Sequence, residues 1–237
     1  MTSLLSSKAI EFIETVLRLK PRFAAFDCDG TLWSGDAGAG FFRWELKRKV
    51  VSDEIARWAR QRYADYSAGK VDEDTMCGEM VTMHHGLEES FLQQEAREFF
   101  DQKVAARIFP DMRELVRRLT ELGCEVWAVS STNEWVIQAG MKHFDIPANR
   151  ILAASVEIEG GRITDRLVRV PSGEGKARAL REVGGGAADA AFGNSRWDVA
   201  MLEISRQAFA VNPNPDLEIV ARERGWVIYF PDGVGPA

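Results

Sequence analysis

Short apolar runs that end abruptly in polar residues recur along this chain. The first is Phe23–Phe26, which is followed directly by Asp27. Runs that are apolar on both faces are typical of strands buried in a parallel sheet, because helices cover both sides of such a sheet. The same pattern predicts further strands at 125–129, 187–192, 208–211 and 226–230.

Segments with apolar positions at helical spacing lie between these runs. They predict helices at 8–19, 111–122, 133–143, 174–183, 197–203 and 215–224. The alternation of strands and helices indicates an α/β fold, a Rossmann-like core with a central parallel sheet flanked by helices. Ligands of such sheets bind beyond the carboxyl ends of the strands. The polar residues at those ends are Asp27, Ser130 and Asn194.

One long segment interrupts the alternation. Residues 41–105 lack a convincing strand pattern and are typical of several helices. We therefore expect an all-helical segment at 35–105, inserted into a core that is formed by 1–34 and 106–237.

Two glycine-rich segments add detail to this arrangement. The stretch 34–40 is typical of a flexible hinge or flap at the start of this insertion. Alternation on both sides of Gly160-Gly161 predicts a small hairpin at 155–168.

Composition restricts the classes of protein that remain. The 237 residues carry 30 basic and 36 acidic side chains, a formal net charge of −6. This balance argues against a general nucleic-acid binder, which needs a basic surface. No apolar run reaches the roughly 18–20 residues that span a bilayer, and the N-terminus lacks the pattern of a secretory signal. The three cysteines form no CxxC pair, so neither a disulfide framework nor a zinc knuckle is indicated, and we expect a cytoplasmic protein.

The segment Asp27-Cys28-Asp29-Gly30-Thr31 carries the sharpest local signal for chemistry. Its two carboxylates are two residues apart, just past a strand end. Crowded carboxylates repel each other and separate in pKa, which favours one as a nucleophile and the other as an acid. They also offer the hard oxygen ligands that Mg²⁺ prefers. A lone segment of this kind is equally compatible with an Asx-type turn that caps the strand.

Three further segments lie at strand ends or in loops that an α/β sheet gathers at one edge. Ser130 can donate its hydroxyl to a phosphate oxygen, and Lys176 can place a positive charge near the carboxylates. Asn194 and Asp198 follow another strand. Each residue alone is ordinary, but their order along the chain favours a phosphate site.

These residues, in this order, resemble the motifs of the haloacid dehalogenase superfamily of phosphatases, over about residues 22–231. The helical insertion and the segment 211–226 resemble the phosphoserine-phosphatase-like branch, which has a small helical cap. The resemblance implies a phosphatase that hydrolyses a small-molecule phosphomonoester through an aspartyl-phosphate. Dehalogenases of the superfamily lack the second carboxylate of the first motif, so Asp29 favours phosphate chemistry.

The resemblance also implies a role for each matching residue. Asp27 would be the nucleophile, and Asp29 would act as general acid and then as general base. Ser130 and Lys176 would hold the phosphate together with the turn Gly30-Thr31, in which the threonine braces the loop.

The cofactor implied by the resemblance is Mg²⁺. Its ligands would be the Asp27 carboxylate, the Asp29 backbone carbonyl and the Asn194 side chain. Asp198 would orient metal-bound waters or Lys176. The family usually has Asp where this chain has Asn194, which offers one oxygen but no charge, so we expect weaker metal binding and the same mechanism.

Three residues of the predicted cap are candidates for substrate specificity. Asp36 lies nine residues after Asp27, where phosphoserine phosphatases carry a Glu for the substrate ammonium. Alignment of segment 68–71 places Met80 at the carboxylate-binding Arg of those enzymes and Glu73 at an apolar pocket position. Such a pocket disfavours phosphoserine and suits an amino-alcohol phosphate such as phosphocholine or phosphoethanolamine.

Aromatic side chains near these positions leave two interpretations open, because they either bind a cation or pack between cap helices. They are Trp33, Phe41, Phe42, Trp44, Trp58 and Tyr63. The adjacent His84 and His85 point in different directions on a helix, and we assign them to a solvated helix end instead of a metal site.

Two other functions stay open on the sequence. A phosphotransferase would pass the phosphoryl group to an alcohol instead of water, and no residue decides between these reactions. A catalytically silent phosphate-ligand binding protein is the third interpretation; Asn194 supports it, and the remaining motif residues argue against it. The oligomeric state is also open.

Overall fold

The computed structural model describes residues 5–184 and 187–232. Residues 1–4, 185–186 and 233–237, which fall in the range expected for the core, lie outside this description. The described strands are β1 (Phe23–Phe26), β2 (Glu125–Asn133), β3 (Ile151–Glu159), β4 (Arg162–Arg169), β5 (Ala190–Gly193), β6 (Gln207–Val211) and β7 (Val227–Tyr229). The described α-helices are α1 (Ser7–Arg18), α2 (Ala37–Arg48), α3 (Asp53–Ser67), α4 (Glu73–Thr82), α5 (Glu89–Lys103), α6 (Pro110–Glu121), α7 (Glu134–Met141), α8 (Glu174–Gly184), α9 (Val199–Glu203) and α10 (Pro215–Arg224).

The strands form one sheet in the order β4-β3-β2-β1-β5-β6-β7. Neighbouring strands are parallel except for β3 and β4, which form an antiparallel hairpin. Alternate residues of β1 enter two different clusters: Ala24 and Phe26 pack with α1 and α6, and Ala25 packs with α8, α9 and α10. Both faces of the sheet are therefore covered, which confirms the α/β, Rossmann-like fold.

A row of three phenylalanines fixes the strand register beneath the site. Phe26, Phe192 and Phe209 are register partners on β1, β5 and β6, and their rings stack with centroids 4.1 and 4.8 Å apart. The backbone N–H of Asp27 continues the pairing by donating to the Phe192 carbonyl at 2.9 Å. The residues that follow β1 and β5 are consequently brought to the same edge of the sheet.

The carboxyl half of β2 differs from the prediction. The strand was expected to end at residue 129, but it continues to Asn133. In the pairing with β3, Val129 lies opposite Leu152 and Asn133 lies opposite Ala154. Residues 130–132 thus form a bulge, which bends a strand and redirects its side chains. Their polar hydroxyls made this part of β2 look like a loop.

The start of β3 was not predicted from the sequence. The expected hairpin at 155–168 is present, but its first strand begins at Ile151 and pairs with β2 inside the main sheet. The small alanines Ala153 and Ala154 conceal this strand, because they carry little hydrophobic signal.

The expectation of a flexible segment over 34–40 is wrong for its second half. The helix α2 begins at Ala37, and Asp36 caps it by accepting a hydrogen bond from the Ala39 N–H at 2.8 Å. A Cβ atom at Gly38 would lie 2.7 Å from Thr132 Oγ1, and one at Gly40 would lie 2.9 Å from the Phe99 ring. These glycines permit close packing in a helix.

Helices α2–α5 occupy the stretch between β1 and β2, with no strand among the described residues of this insertion. Helices α2, α4 and α5 share one hydrophobic cluster with α7, in which Phe41, Val81 and Phe99 pack with Trp135. The α3 residue Ala59 packs with Phe42 and Met83 in a separate, smaller cluster. The cap boundaries at 35 and 105 stay a prediction.

The histidine pair is divided by the fold. His84 is fully buried, and its Nε2 lies 2.7 Å from Glu45 Oε2, so the expectation of a solvated position is wrong for this residue. His85 is exposed as expected. Across residues 5–184 and 187–232, no helix combines the length and apolarity needed to cross a membrane.

Candidate active site

A buried lysine joins two carboxylates at the carboxyl edge of the sheet. Lys176 Nζ, near the start of α8, donates to Asp27 Oδ1 at 2.6 Å and to Asp198 Oδ1 at 2.5 Å. None of the three side chains is more than 8% exposed. Thr31 donates its hydroxyl to the other Asp27 oxygen at 2.8 Å. We call Asp27, Lys176 and Asp198 the charge cluster.

Burial and neighbouring charges act against each other in this cluster. Burial and the Asp198 carboxylate raise the pKa of Asp27 to about 6, although Lys176 and Thr31 act in the opposite direction. Burial alone would lower the pKa of Lys176, but the carboxylates of Asp198 and Asp27 raise it above its ordinary value. The lysine therefore stays charged, and Asp27 is mostly ionised near pH 7.

Asp198 also holds the loop that follows β5. Its second carboxylate oxygen accepts the backbone N–H groups of Asn194 and Ser195, each at 2.9 Å. A Cβ atom at Gly193 would lie 2.5 Å from the Asp198 Cβ, so glycine is needed for this approach. Asp198 thereby fixes both Lys176 and the backbone that carries Asn194.

The Asn194 amide lies directly against the loop that follows β1. A Cβ atom at Gly30 would lie 1.9 Å from Asn194 Nδ2, and Gly30 has a φ of +76°. Both the close contact and the left-handed backbone favour glycine at this position. Asn212 steadies the same turn by donating its side-chain amide to the Gly30 carbonyl at 3.0 Å.

Asp29 is the second carboxylate of the site. Its Oδ1 accepts hydrogen bonds from the Trp33 indole N–H at 2.7 Å and the Ala37 backbone N–H at 2.6 Å. Its Oδ2 accepts the Thr132 hydroxyl at 2.8 Å. Burial, followed by the nearby Asp36 charge, raises the pKa of Asp29 to about 7. A carboxyl group with this pKa can both release and accept a proton near neutral pH.

A cavity of about 320 Å³ opens in front of these groups, and we call it the main cavity. The predicted site residues in its wall are Asp27, Asp29, Gly30, Ser130, Lys176, Asn194, Asp36 and Glu73. Thr31 and Asp198 lie behind this wall and contact it through Asp27 and Lys176. The fold therefore gathers segments that are up to 167 residues apart in sequence.

A smaller side chamber of about 90 Å³ adjoins the main cavity, and both share Asp36, Glu73, Ser131 and Thr132 in their walls. Met80, the third specificity candidate, also lines this side chamber, as do Tyr63 and Tyr66. The Tyr66 hydroxyl donates to the Glu73 carboxylate. Among the described residues, the side-chamber wall contains two carboxylates and no basic side chain.

The six aromatic candidates lie in different environments, and most of them line neither the main cavity nor the side chamber. Only Tyr63 of the six lines the side chamber. The side chains of Trp33, Phe41 and Phe42 are buried, and Trp58 is 42% exposed. Packing is thus the main role of the set.

Sequence reasoning missed Tyr66 and Thr132 as site residues, and it considered Trp33 only for cation binding or packing. Tyr66 belongs to the side chamber, and Trp33 and Thr132 bind the Asp29 carboxylate. The run Ser130-Ser131-Thr132 offered a signal, because three hydroxyls in succession are unusual at the end of a buried strand. Ser130 itself is buried, and its hydroxyl accepts the Thr132 N–H at 3.2 Å.

The donor set of the main cavity fits a hard divalent cation. Asp27, Asp29 and Asn194 all line this cavity and present oxygen atoms, which Mg²⁺ prefers. When the three carboxylates of Asp27, Asp29 and Asp198 are ionised, Lys176 compensates only one of them. A divalent cation would balance the remaining two negative charges.

Two curated relatives of this chain are named as phosphatases. A histidinol-phosphatase of Neisseria meningitidis is 28% identical over 216 residues, which are 86% of this chain and 96% of that protein. A phosphoserine phosphatase of Mycobacterium tuberculosis is 27% identical over 215 residues, which are 86% of this chain and 69% of that protein. Both relatives are phosphatases with different substrates, so their names support the expected phosphoric monoester hydrolase without selecting a leaving group.

A solved structure and a family model extend the likeness over most of the chain. The protein of unknown function from Bordetella pertussis Tohama I superposes with a TM-score of 0.77 at 23% identity, covering 88% of this chain and 98% of that one. The model of haloacid dehalogenase-like hydrolases matches residues 24–203. This match covers well over half of the chain and includes Asp27, Lys176 and Asp198, so the chain belongs to the haloacid dehalogenase-like hydrolase family.

Proposed function

We propose that the protein is a Mg²⁺-dependent phosphatase that hydrolyses a small-molecule phosphomonoester in the cytoplasm through an aspartyl-phosphate on Asp27. The observation that carries this proposal is the charge cluster beside Asp29. One buried carboxylate is held by a lysine, and a second carboxyl group with a pKa of about 7 lines the same cavity. A nucleophile and an acid–base group are thus available at one site.

In the first step, a carboxylate oxygen of Asp27 attacks the phosphorus atom. The bond between phosphorus and the ester oxygen breaks, its electron pair stays on that oxygen, and Asp29 supplies the proton that completes the alcohol. Lys176 holds Asp27 in place through its 2.6 Å hydrogen bond and adds a positive charge for the phosphoryl oxygens. Ser130 lines the cavity and is the expected hydroxyl donor to the phosphate.

In the second step, Asp29 accepts a proton from a water molecule, which attacks the phosphorus of the aspartyl-phosphate. The bond between Asp27 and phosphorus breaks, and inorganic phosphate and free Asp27 result. Asp198 keeps Lys176 charged and oriented throughout, because its carboxylate accepts a hydrogen bond from the ammonium group.

We propose that three residues hold the Mg²⁺: Asp27 through its carboxylate, Asp29 through its backbone carbonyl and Asn194 through its side-chain oxygen. When bound, this ion neutralises charge on the phosphoryl oxygens as they move toward the nucleophile. Asn194 contributes one oxygen without a charge, which predicts a weaker affinity than an Asp would give.

For the leaving group, we propose an alcohol that carries a cationic amine, as in an amino-alcohol phosphate. The side chamber supports this, because Asp36 and Glu73 give it negative charge and Tyr63 and Tyr66 give it aromatic faces. Met80 offers no charge for a substrate carboxylate. We also propose that residues 35–105, which supply most of this wall, act as a cap over the core.

Hydrolysis of a panel of phosphomonoesters tests the proposal, with Mg²⁺ present or chelated. We expect phosphate release that depends on Mg²⁺, and faster hydrolysis of phosphocholine and phosphoethanolamine than of neutral sugar phosphates. Asp27→Asn is expected to lower kcat by more than about a thousandfold, because it removes the nucleophile. Mass spectrometry should detect a phosphorylated wild-type protein and none for the variant.

Three results would count against parts of this proposal. Full activity of the Asp27→Asn variant would exclude Asp27 as the nucleophile. Equal rates for amine-bearing and neutral esters would exclude the proposed leaving group. Phosphate esters formed from added acceptor alcohols, with little inorganic phosphate, would identify a phosphotransferase instead of a hydrolase.

A further inference from the structure

Three donors from two segments of the chain hold the Asp29 carboxylate. The Trp33 indole N–H and the Ala37 backbone N–H both donate to Oδ1, at 2.7 and 2.6 Å. The Thr132 hydroxyl donates to Oδ2 at 2.8 Å. A group that must deliver a proton in one direction benefits from such constraint, because general acid catalysis depends on the position of the donor.

These bonds determine where the transferable proton can reside. A carboxylate offers about four lone-pair positions, two on each oxygen. On Asp29, the two N–H groups occupy both positions on Oδ1, and the Thr132 hydroxyl occupies one on Oδ2. A proton on Oδ1 would face two other hydrogens, so the remaining position on Oδ2 is the one that can carry it.

The residues that donate to Asp29 are themselves rigidly placed. Trp33 is fully buried, and its ring packs edge-to-face on Phe100 with centroids 5.0 Å apart. Thr132 lies in the β2 bulge, and its backbone N–H donates to Ser130 Oγ. A Cβ atom at Gly38 would lie 2.7 Å from the Thr132 hydroxyl oxygen, so α2 closes against this group.

We propose that Thr132 is a positioning residue that directs the acidic proton of Asp29 toward the leaving-group oxygen, with Trp33 fixing the opposite oxygen. The inference rests on the proposed function, in which Asp29 is the general acid. As the bond between phosphorus and ester oxygen breaks, the proton leaves Oδ2 for that oxygen, and the Thr132 hydroxyl keeps its bond to the other Oδ2 lone pair. Thr132 lines both the main cavity and the side chamber, which is where a leaving group would pass.

Leaving-group dependence tests this role in the intact protein with Mg²⁺. An alkyl phosphate needs a proton on its leaving oxygen, whereas p-nitrophenyl phosphate leaves as a stable anion. We expect Thr132→Val to lower kcat/KM for an alkyl phosphate at least about tenfold and for p-nitrophenyl phosphate less than about threefold. Thr132→Ser, which keeps the hydroxyl, is expected to retain wild-type values within about threefold for both.

Thr164→Val is the matched control. Thr164 is also buried, and its hydroxyl donates to the Glu157 carbonyl at 2.7 Å, so this variant reports the general effect of losing a buried threonine hydroxyl. We expect it to leave the ratio of the two kcat/KM values unchanged. Gly38→Ala, which crowds the Thr132 hydroxyl, is expected to reproduce the selective loss for the alkyl ester.

The outcomes separate this inference from the proposed function. An equal loss of kcat/KM for both esters in Thr132→Val would overturn the positioning role of Thr132. The proposed function would still stand if Asp27→Asn abolished activity. A loss of kcat/KM for the alkyl ester in Thr132→Ser as large as in Thr132→Val would overturn the positioning role as well. Full activity of Asp27→Asn would instead remove the mechanism on which the inference depends.

Discussion

The charge cluster and the side chamber both contain acidic residues, but these residues differ in burial and in the positive charge beside them. In the charge cluster, the two carboxylates are almost completely buried, and Lys176 bonds to both. In the side chamber, Asp36 is exposed, Glu73 is half-buried, and the wall that the structure describes holds no cation. The chain itself supplies a cation to the carboxylates of the cluster, whereas the carboxylates of the side chamber have negative charge available for a ligand.

The two regions also come from different structural elements. The cluster lies on loops that leave β1 and β5 and on α8, so the rigid sheet fixes its geometry. The side chamber is formed largely by α2, α3 and α4 together with the β2 bulge. Under the proposed function, residues at the sheet edge would carry the chemistry shared by all phosphomonoesters, and the inserted helices would recognise the alcohol.

Replacement of Lys176, the positively charged residue of the charge cluster, is expected to have the largest effect on stability. Lys176→Met leaves two buried carboxylates without their partner, and breaking a buried ion pair in this way costs about 3–5 kcal/mol in the free energy of unfolding. Urea unfolding measures this loss. Lys70→Met is the control, because Lys70 is 71% exposed and lies 3.6 Å from Asp65; it should change stability by less than about 0.5 kcal/mol. Equal effects of both variants would contradict a structural role for the buried lysine.

The contact between Gly30 and Asn194 gives the next largest effect, on activity. Gly30→Ala places a Cβ atom 1.9 Å from Asn194 Nδ2 and must displace the amide or the loop. A displacement of about 1 Å is expected to lower kcat about a hundredfold. Gly69→Ala is the control for backbone strain, since Gly69 has a similar φ of +71° but open space where a Cβ atom would lie.

Both glycine variants are expected to lose about 1 kcal/mol of stability from backbone strain. Only Gly30→Ala should lose activity, and it should also need a higher Mg²⁺ concentration for half-maximal rate. An active Gly30→Ala with unchanged Mg²⁺ dependence would show that the Asn194 contact is not needed for catalysis.

The sequence predicted the charge cluster better than the side chamber, and physical reasons explain the difference. Asp27 and Asp198 follow the apolar strands β1 and β5, so their convergence follows from the topology of a parallel sheet. Lys176 lies near the start of a helix and was placed near them by the order of the motifs. Asp36, Glu73 and Met80 were found through a resemblance, and the structure places all three on one chamber wall. Their roles in specificity stay predictions.

Three features depended on tertiary packing and could not be predicted locally. The β2 bulge exists because β3 pairs on both sides of residues 130–132, and β3 itself was hidden by its alanines. Gly38 and Gly40 suggest flexibility in sequence, but neighbouring side chains press against them in a helix. Tyr66 became a site residue only because α3 and α4 pack together and bring it to Glu73.

The proposed cation preference of the side chamber gives the third prediction. Glu73→Gln removes a charge without changing size, and we expect kcat/KM for phosphocholine to fall about tenfold, the usual effect of one charge-assisted contact. The rate with a neutral sugar phosphate should change little. Glu79→Gln is the control on the same helix, because Glu79 pairs with Arg62 at 2.7 Å instead of facing the side chamber. A parallel loss for both esters would contradict cation recognition by Glu73.

The smallest predicted effect concerns Glu134. It tests whether the negative charge of a carboxylate near the side chamber is left without enough positive charge nearby. This residue begins α7 directly after Asn133 of the side-chamber wall. Burial and the Glu89 charge raise the pKa of Glu134 from 4.5 to about 7, even though Arg169 acts against them. The folded protein therefore holds this proton more tightly than the unfolded chain, and stability falls as pH rises from 4.5 to about 7.

Glu134→Gln should remove that loss, because glutamine stays neutral at every pH. We expect the variant to be stabilised relative to wild type at about pH 8, and this gain to exceed the gain at about pH 5 by about 1 kcal/mol, less than the full pKa shift implies because the group is only half-buried. Urea unfolding of both proteins at the two pH values gives the difference, and the titrations of Asp27 and Asp29 cancel in it. Glu125→Gln, at an exposed position of β2, should give the same change at both pH values. A gain for Glu134→Gln that does not depend on pH would mean that the folded protein does not raise the pKa of Glu134.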